Sequence, residues 1–146
     1  MEERLLVAVA HPDDETFGCG SLLAHASELG VPSVVACATR GEAGSPTPGR
    51  GLDDADMAIV REAELRAAAD FLGVEQVELL EWADSGMEGE PAEGTLVAAA
   101  LDEVAGRVAS LIDEVQPTIV VTRDARDGPR DHAHMRDAVL LAVERS

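Results

Sequence analysis

The sequence predicts an α/β fold, a mostly parallel sheet with helices on both faces. Short continuous apolar runs, the pattern of strands buried on both sides, alternate with longer stretches of helical spacing. Each apolar run leads into a cluster of ionisable residues rather than a tight hairpin turn, as parallel strands joined by crossovers require. With 146 residues, 46% of them hydrophobic, the chain is expected to form a single domain over 1–146. A chain of that length can bury roughly two thirds of its unfolded surface without disulfide staples.

The elements follow in order. Leu5 to Ala10 (LLVAVA) reads as a strand buried on both faces, and Ser33 to Thr39 (SVVACAT) repeats it. Between them Phe17 to Leu29 has helical composition and ends at Gly30, a C-cap signal. Arg40 to Asp56, rich in Gly, Pro and Asp, is expected to be a long loop. Helical spacing returns at Met57, Val60, Glu64, Leu65, Ala68 and Leu72, closed by Gly73. Gln76 to Leu80 is a short strand and Glu81 to Gly94 an acidic loop. Leu96, Ala100, Val104, Val108, Leu111 and Val115 mark one face of a long helix, stopped by Pro117. Thr118 to Thr122 (TIVVT) is the fourth strand, Arg123 to Asp131 a charged loop, and His132 to Glu144 the last helix. This alternation is Rossmann-like, and right-handed crossovers are expected.

Composition excludes several function classes. Eleven Arg and no Lys face 29 acidic residues, giving a formal charge of -18. Such a surface repels a phosphate backbone, and with two Phe, one Trp and no Tyr there is no platform for stacking bases, so nucleic acid is not an expected partner. No apolar run reaches membrane-spanning length and the acidic start does not resemble a signal peptide, so no membrane role is expected. Cys19 and Cys37 form neither a secreted framework nor a CxxC pair, which suits a reducing cytoplasmic location. Cys19, between two glycines, is expected to serve close packing, and His25, on a helix, to be structural or solvated.

In parallel sheets, sites form at the carboxyl ends of the strands. There the chain places His11-Pro12-Asp13-Asp14-Glu15, Thr39-Arg40-Gly41-Glu42, Trp82-Ala83-Asp84-Ser85-Gly86 and Arg130-Asp131-His132. His11 and Asp14, three apart on a turn fixed by Pro12, can aim an imidazole and a carboxylate at one point. His132 could supply a third ligand, and His-Asp-His plus water is the open arrangement of a catalytic zinc site. Asp13 would then be placed to take a proton from that water. The plainer reading of the same run is an acidic turn in which Asp13 or Asp14 caps the first helix. A nucleotide-binding reading is disfavoured, because the first loop lacks GxGxxG and its carboxylates would repel a pyrophosphate.

The run Ala10-His11-Pro12-Asp13-Asp14-Glu15 also resembles the signature of the PIG-L/LmbE family of zinc-dependent N-acetylglucosaminyl deacetylases. The likeness continues through Thr39-Arg40-Gly41-Glu42-Ala43-Gly44 and Arg61 to Val74, and Asp84-Ser85-Gly86-Met87 is similar to the mycothiol-pathway branch. The resemblance implies His11, Asp14 and His132 as metal ligands and Asp13 as general base. It implies substrate contacts for Arg61 and Asp84, whose plain alternatives are a helix-surface ion pair and an Asx turn. It implies Zn2+ as cofactor, although the same donors accept Fe2+ or Co2+. The partner would be a small-molecule N-acetyl amino sugar, hydrolysed to the free amine and acetate.

Two departures from the family pattern shape the expectation. Pro129 stands where the family carries the first histidine of HPDH or HRDH, which assists the oxyanion or the leaving amine. Either Arg130 or His134 is then expected to substitute, or the catalytic step is impaired; the rival reading is a non-catalytic metal- or sugar-binding module with the same fold. The fold is also apparently short at the C-terminus. The fourth strand is therefore expected near an edge, covered either by contacts between copies of the chain in a homo-oligomer or differently in a minimal variant of the fold.

Overall fold

The computed structural model describes residues 2–42, 53–126 and 128–146. Most of the loop expected over 40–56 lies outside them. Four strands form one all-parallel sheet, β1 (Leu5–Val9), β2 (Ser33–Cys37), β3 (Gln76–Leu79) and β4 (Ile119–Thr122), in the order β3-β2-β1-β4. Register runs Leu5↔Ser33 to Val9↔Cys37 on one side of β1, and Leu5↔Ile119 to Ala8↔Thr122 on the other. The central strands are apolar throughout because both their faces are covered. Leu6, Ala8, Val34 and Ala36 meet α3 (Leu101–Val115) and α4 (Arg130–Arg145), whereas Leu5, Val7, Val35 and Cys37 meet α1 (Asp14–Glu28) and α2 (Asp54–Leu72).

All four described helices start at residues other than those the sequence predicts. α1 begins at Asp14, not Phe17, because Asp14 and Glu15 are favoured in a first turn, where the helix dipole is positive. α2 begins at Asp54, with the Asp53 carboxylate accepting from the Asp56 amide at 2.8 Å. α3 begins at Leu101 rather than Leu96. A parallel bridge between Ala83 and Thr95 pulls that segment into extension, so fully buried Leu96 reaches the core from a turn and continues the helical spacing only by coincidence. α4 begins two residues early, at Arg130, with Pro129 at its N-cap.

β1 is flanked by β2 on one side and β4 on the other, and the chain leaves β1 toward β2 but returns to β4 only after β3. That reversal of direction opens a crevice beyond the carboxyl ends of β1 and β4, where sheets of this kind bind ligands. β4 is an edge strand among the described residues, and Ile119 on it is exposed. No helix among the described residues is long and apolar enough to cross a membrane.

Candidate metal centre and active site

His11 follows β1, Asp14 opens α1 and His132 lies in the first turn of α4, so three elements deliver three side chains to the crevice. Their donor atoms lie within 4.8 Å of one another. His132 Nε2 is 3.1 Å and His11 Nδ1 3.7 Å from Asp14 Oδ2, and the two rings stand 5.3 Å apart. A tetrahedral ion with arms near 2.0–2.1 Å separates its ligands by roughly 3.3 Å. The donor set and its spacing therefore fit a divalent ion such as zinc.

Asp131, next to His132 in sequence, supports the set from behind. Its Oδ2 lies 2.8 Å from His11 Nε2 and accepts from the Ser85 amide at 3.1 Å. With Nε2–H directed at Asp131, His11 keeps Nδ1 facing Asp14, the carboxylate–histidine arrangement that fixes a ligand's tautomer and orientation. The residue is almost wholly buried and Oδ1 makes no hydrogen bond. Sequence reading quoted Asp131 without giving it a role. Its only signal was a carboxylate adjacent to a ligand-type histidine.

Arg123, which follows β4, was also missed. Its Nη1 donates to Asp14 Oδ1 at 2.9 Å, leaving Oδ2 toward the two histidines. Burial disfavours charge on His11, but hydrogen bonds to Asp131 and Asp84 and the nearby Asp14 outweigh it and raise its pKa to about 9. Burial likewise pushes the Asp14 carboxyl up, and the adjoining His132 and His11 reverse this and hold it below the ordinary aspartate value.

Asp13 has left-handed backbone, φ 83, a conformation Asp tolerates better than most residues. It occupies the N-cap position, yet its side chain makes no capping bond, and Asp14 Oδ2 accepts from the His11 amide instead. The Asp13 carboxylate is half exposed and faces Arg61 Nη2 at 3.4 Å. Arg61 also donates to the Gly41 and Pro12 carbonyls, both at 2.7 Å. Gly41 has φ +65, and a Cβ there would collide with that guanidinium. Arg61 thus joins α2 to the loops after β1 and β2.

Asp84 Oδ1 approaches His11 Nε2 at 3.6 Å and accepts from the Gly86 amide at 2.9 Å, so an Asx turn and proximity to the cluster coexist. Glu42 Oε1 accepts from the Asp84 amide. The two side chains expected to stand in for the missing histidine are engaged elsewhere. Arg130 binds carbonyls of the loop after β3, and His134 Nε2 lies 3.0 Å from the Ala99 carbonyl. Pro129 offers no donor. Cys19 is buried in the α1–α2 side of the core, and burial pushes its thiol up rather than favouring a thiolate. His25 is exposed.

Comparison with known proteins gives a consistent picture. The family model "PIG-L: GlcNAc-PI de-N-acetylase" matches residues 6–143. A 1D-myo-inositol 2-acetamido-2-deoxy-alpha-D-glucopyranoside deacetylase of Mycolicibacterium gilvum is 38% identical, the alignment covering 97% of this chain and 54% of that one. N,N'-diacetylchitobiose deacetylase from Pyrococcus horikoshii superposes with a TM-score of 0.75 at 26% identity, over 97% of this chain and 48% of the other. The zinc inhibited form of a teicoplanin deacetylase gives 0.77 at 29% identity, over 97% and 64%. The chain spans about half the length of the curated relatives it matches.

Proposed function

Because the chain belongs to the PIG-L family of GlcNAc-PI de-N-acetylases, we propose that it is a zinc-dependent hydrolase that removes the acetyl group from an N-acetylglucosamine-type sugar or conjugate. The observation that carries this reading is the convergence of His11, Asp14 and His132 from three elements on the crevice between β1 and β4. The two free cysteines suit a cytoplasmic enzyme.

His11 Nδ1, Asp14 Oδ2 and His132 Nε2 would hold the ion. The chemistry a bound divalent ion supplies is polarisation of the acetyl carbonyl and a water whose pKa falls toward roughly 7. Asp13 takes the proton of the attacking water at a carboxylate oxygen, and Arg61 keeps that side chain oriented. The new carbon–oxygen bond converts the planar amide carbon into a tetrahedral centre carrying an oxyanion. Asp13 then returns its proton to the amide nitrogen, the carbon–nitrogen bond breaks, and free amine and acetate leave. Asp84 accepts hydrogen bonds from sugar hydroxyls. No histidine shares the proton transfer at position 129, so turnover is slow.

Metal analysis of purified protein, combined with acetate release from N-acetylglucosamine, N-acetylglucosaminyl-inositol and diacetylchitobiose, tests the proposal. One zinc per chain and acetate from at least one of the three is the expected result. Stoichiometric metal with no acetate from any of them overturns the hydrolase reading in favour of a metal- or sugar-binding module.

A further inference from the structure

Four backbone carbonyls of the loop after β3 converge on one side chain from the start of α4. Arg130 Nε donates to Gly86 O at 3.0 Å, Nη1 to Gly89 O at 2.7 Å, and Nη2 to Ser85 O and to Glu88 O, the latter at 3.3 Å. Gly86 and Gly89 both have left-handed backbone, φ 67 and 83, which turns successive peptide planes within this short loop. Carbonyl oxygens gathered in this way repel one another unless a cation sits among them. Only a guanidinium offers five N–H groups in a fixed planar fork; an ammonium presents three from a single point.

The same loop reaches the site through two other bonds. Its Ser85 amide donates to Asp131, which orients His11, and its Gly86 amide donates to the Asp84 carboxylate. Ser85 Oγ accepts from the Val97 amide, which ties the loop to the segment before α3. Met87, between the two glycines, is exposed. Ladder pairing of β3 ends at Leu79, single bonds run on from Leu80 to Cys37 and from Trp82 to Ala38, and the Ala83 to Thr95 bridge follows; among the described residues no ladder includes residues 84–89.

We infer that Arg130 is a positioning residue: it clamps the Ser85–Gly89 loop onto the N-terminus of α4 and thereby sets where Asp84 meets the sugar. The substrate side of this inference rests on the deacetylase reading above, while the clamp itself does not. The Arg130 hydrogen bonds go to loop carbonyls rather than to His11, Asp14 or His132. Its loss therefore acts first on sugar binding, and reaches the ion only indirectly, through the Ser85 to Asp131 bond.

The test compares wild type with Arg130→Ala and Arg130→Lys, the second variant keeping the charge and the long stem should the first fail to fold. Arg130→Ala is expected to raise KM for the best N-acetyl sugar about 10-fold or more, the scale of a slightly misplaced binding group, with kcat and zinc affinity each changed less than about 3-fold. Amide hydrogen exchange over residues 84–89 should accelerate in Arg130→Ala. Millimolar guanidinium, filling the vacated fork, should restore both KM and exchange in that variant alone. Arg130→Lys is expected to keep the high KM. Unchanged KM and exchange in Arg130→Ala, a wild-type KM in Arg130→Lys, or absence of guanidinium rescue would each overturn the clamp. A wild-type protein that releases no acetate would refute the deacetylase reading instead, and exchange with its guanidinium rescue would then decide the inference.

Discussion

Asp13 separates the two readings of the acidic turn most sharply. Its carboxylate does not cap α1 and faces Arg61, so a small contribution to stability is expected, and as the proposed base a large one to reaction. Asp13→Asn keeps the volume and suits the left-handed φ of 83. We expect zinc to remain bound, thermal stability to stay near wild type, and acetate release to fall about 100-fold or more. Unchanged turnover would show that Asp13 serves only the turn. His11 yields a pH prediction. Its pKa is raised from 6.5 to about 9, so in the metal-free fold its charged form is favoured and its stabilisation is complete below pH 6.5. That stabilisation fades as pH climbs through 9. As a proposed ligand, His11 has to give up that proton to bind metal, so zinc affinity is expected to increase with pH up to about 9 and then level off. Calorimetric titration across pH 6 to 10 would read this, and a pH-independent affinity would remove His11 from the ligand set.

At the scale of an element, the start of α4 carries Pro129, Arg130, Asp131 and His132 on consecutive positions, and each has a different task. Pro129 has φ -58 at the N-cap and supplies the carbonyl that accepts from the His132 amide at 3.1 Å. A fixed φ suits a helix entry but removes any side-chain donor. Pro129→His is therefore expected to raise turnover with little change in zinc affinity, and Pro129→Ala, which loosens the turn without adding a donor, should not. The loss of one oxyanion donor typically costs about 100 to 1,000-fold, which bounds the gain. Steady-state acetate release from the three proteins decides this, and equal rates in both variants would show that position 129 has no part in proton transfer.

For the molecule as a whole, stability comes from two apolar layers, one on each face of the sheet, and the site hangs on their edges. Leu111 is fully buried in the layer formed by α3 and α4. Leu111→Ala leaves a cavity that a close-packed layer cannot fill, and is expected to cost about 2–5 kcal/mol of unfolding free energy. Urea denaturation followed by Trp82 fluorescence would measure it, and a loss below about 1 kcal/mol would mean that this layer repacks freely. α4 lies in that layer and carries His132, so a thermally softened variant should lose zinc before it loses the β1–β2 pairing, where neither strand carries a ligand.

The four strands and four helices of the described residues were legible in the chain, most clearly β1 and β2, which are covered on both faces, and α3, which buries one stripe. His11 and Asp14 could be paired from spacing alone, since three residues on one turn are close whatever the rest of the chain does. Other features depend on distances across more than a hundred positions. His132 joins Asp14, Asp131 reaches His11 and Arg123 holds Asp14 only because β4 lies beside β1. No local pattern encodes that neighbourhood; strand order does. The start of α3 was likewise misplaced by periodicity, since burial of Leu96 in a turn leaves the same mark in sequence as burial on a helix. Arg130, read as a spare donor, became a clamp for the same reason: the four carbonyls it binds lie more than forty residues earlier and meet it only in the folded chain.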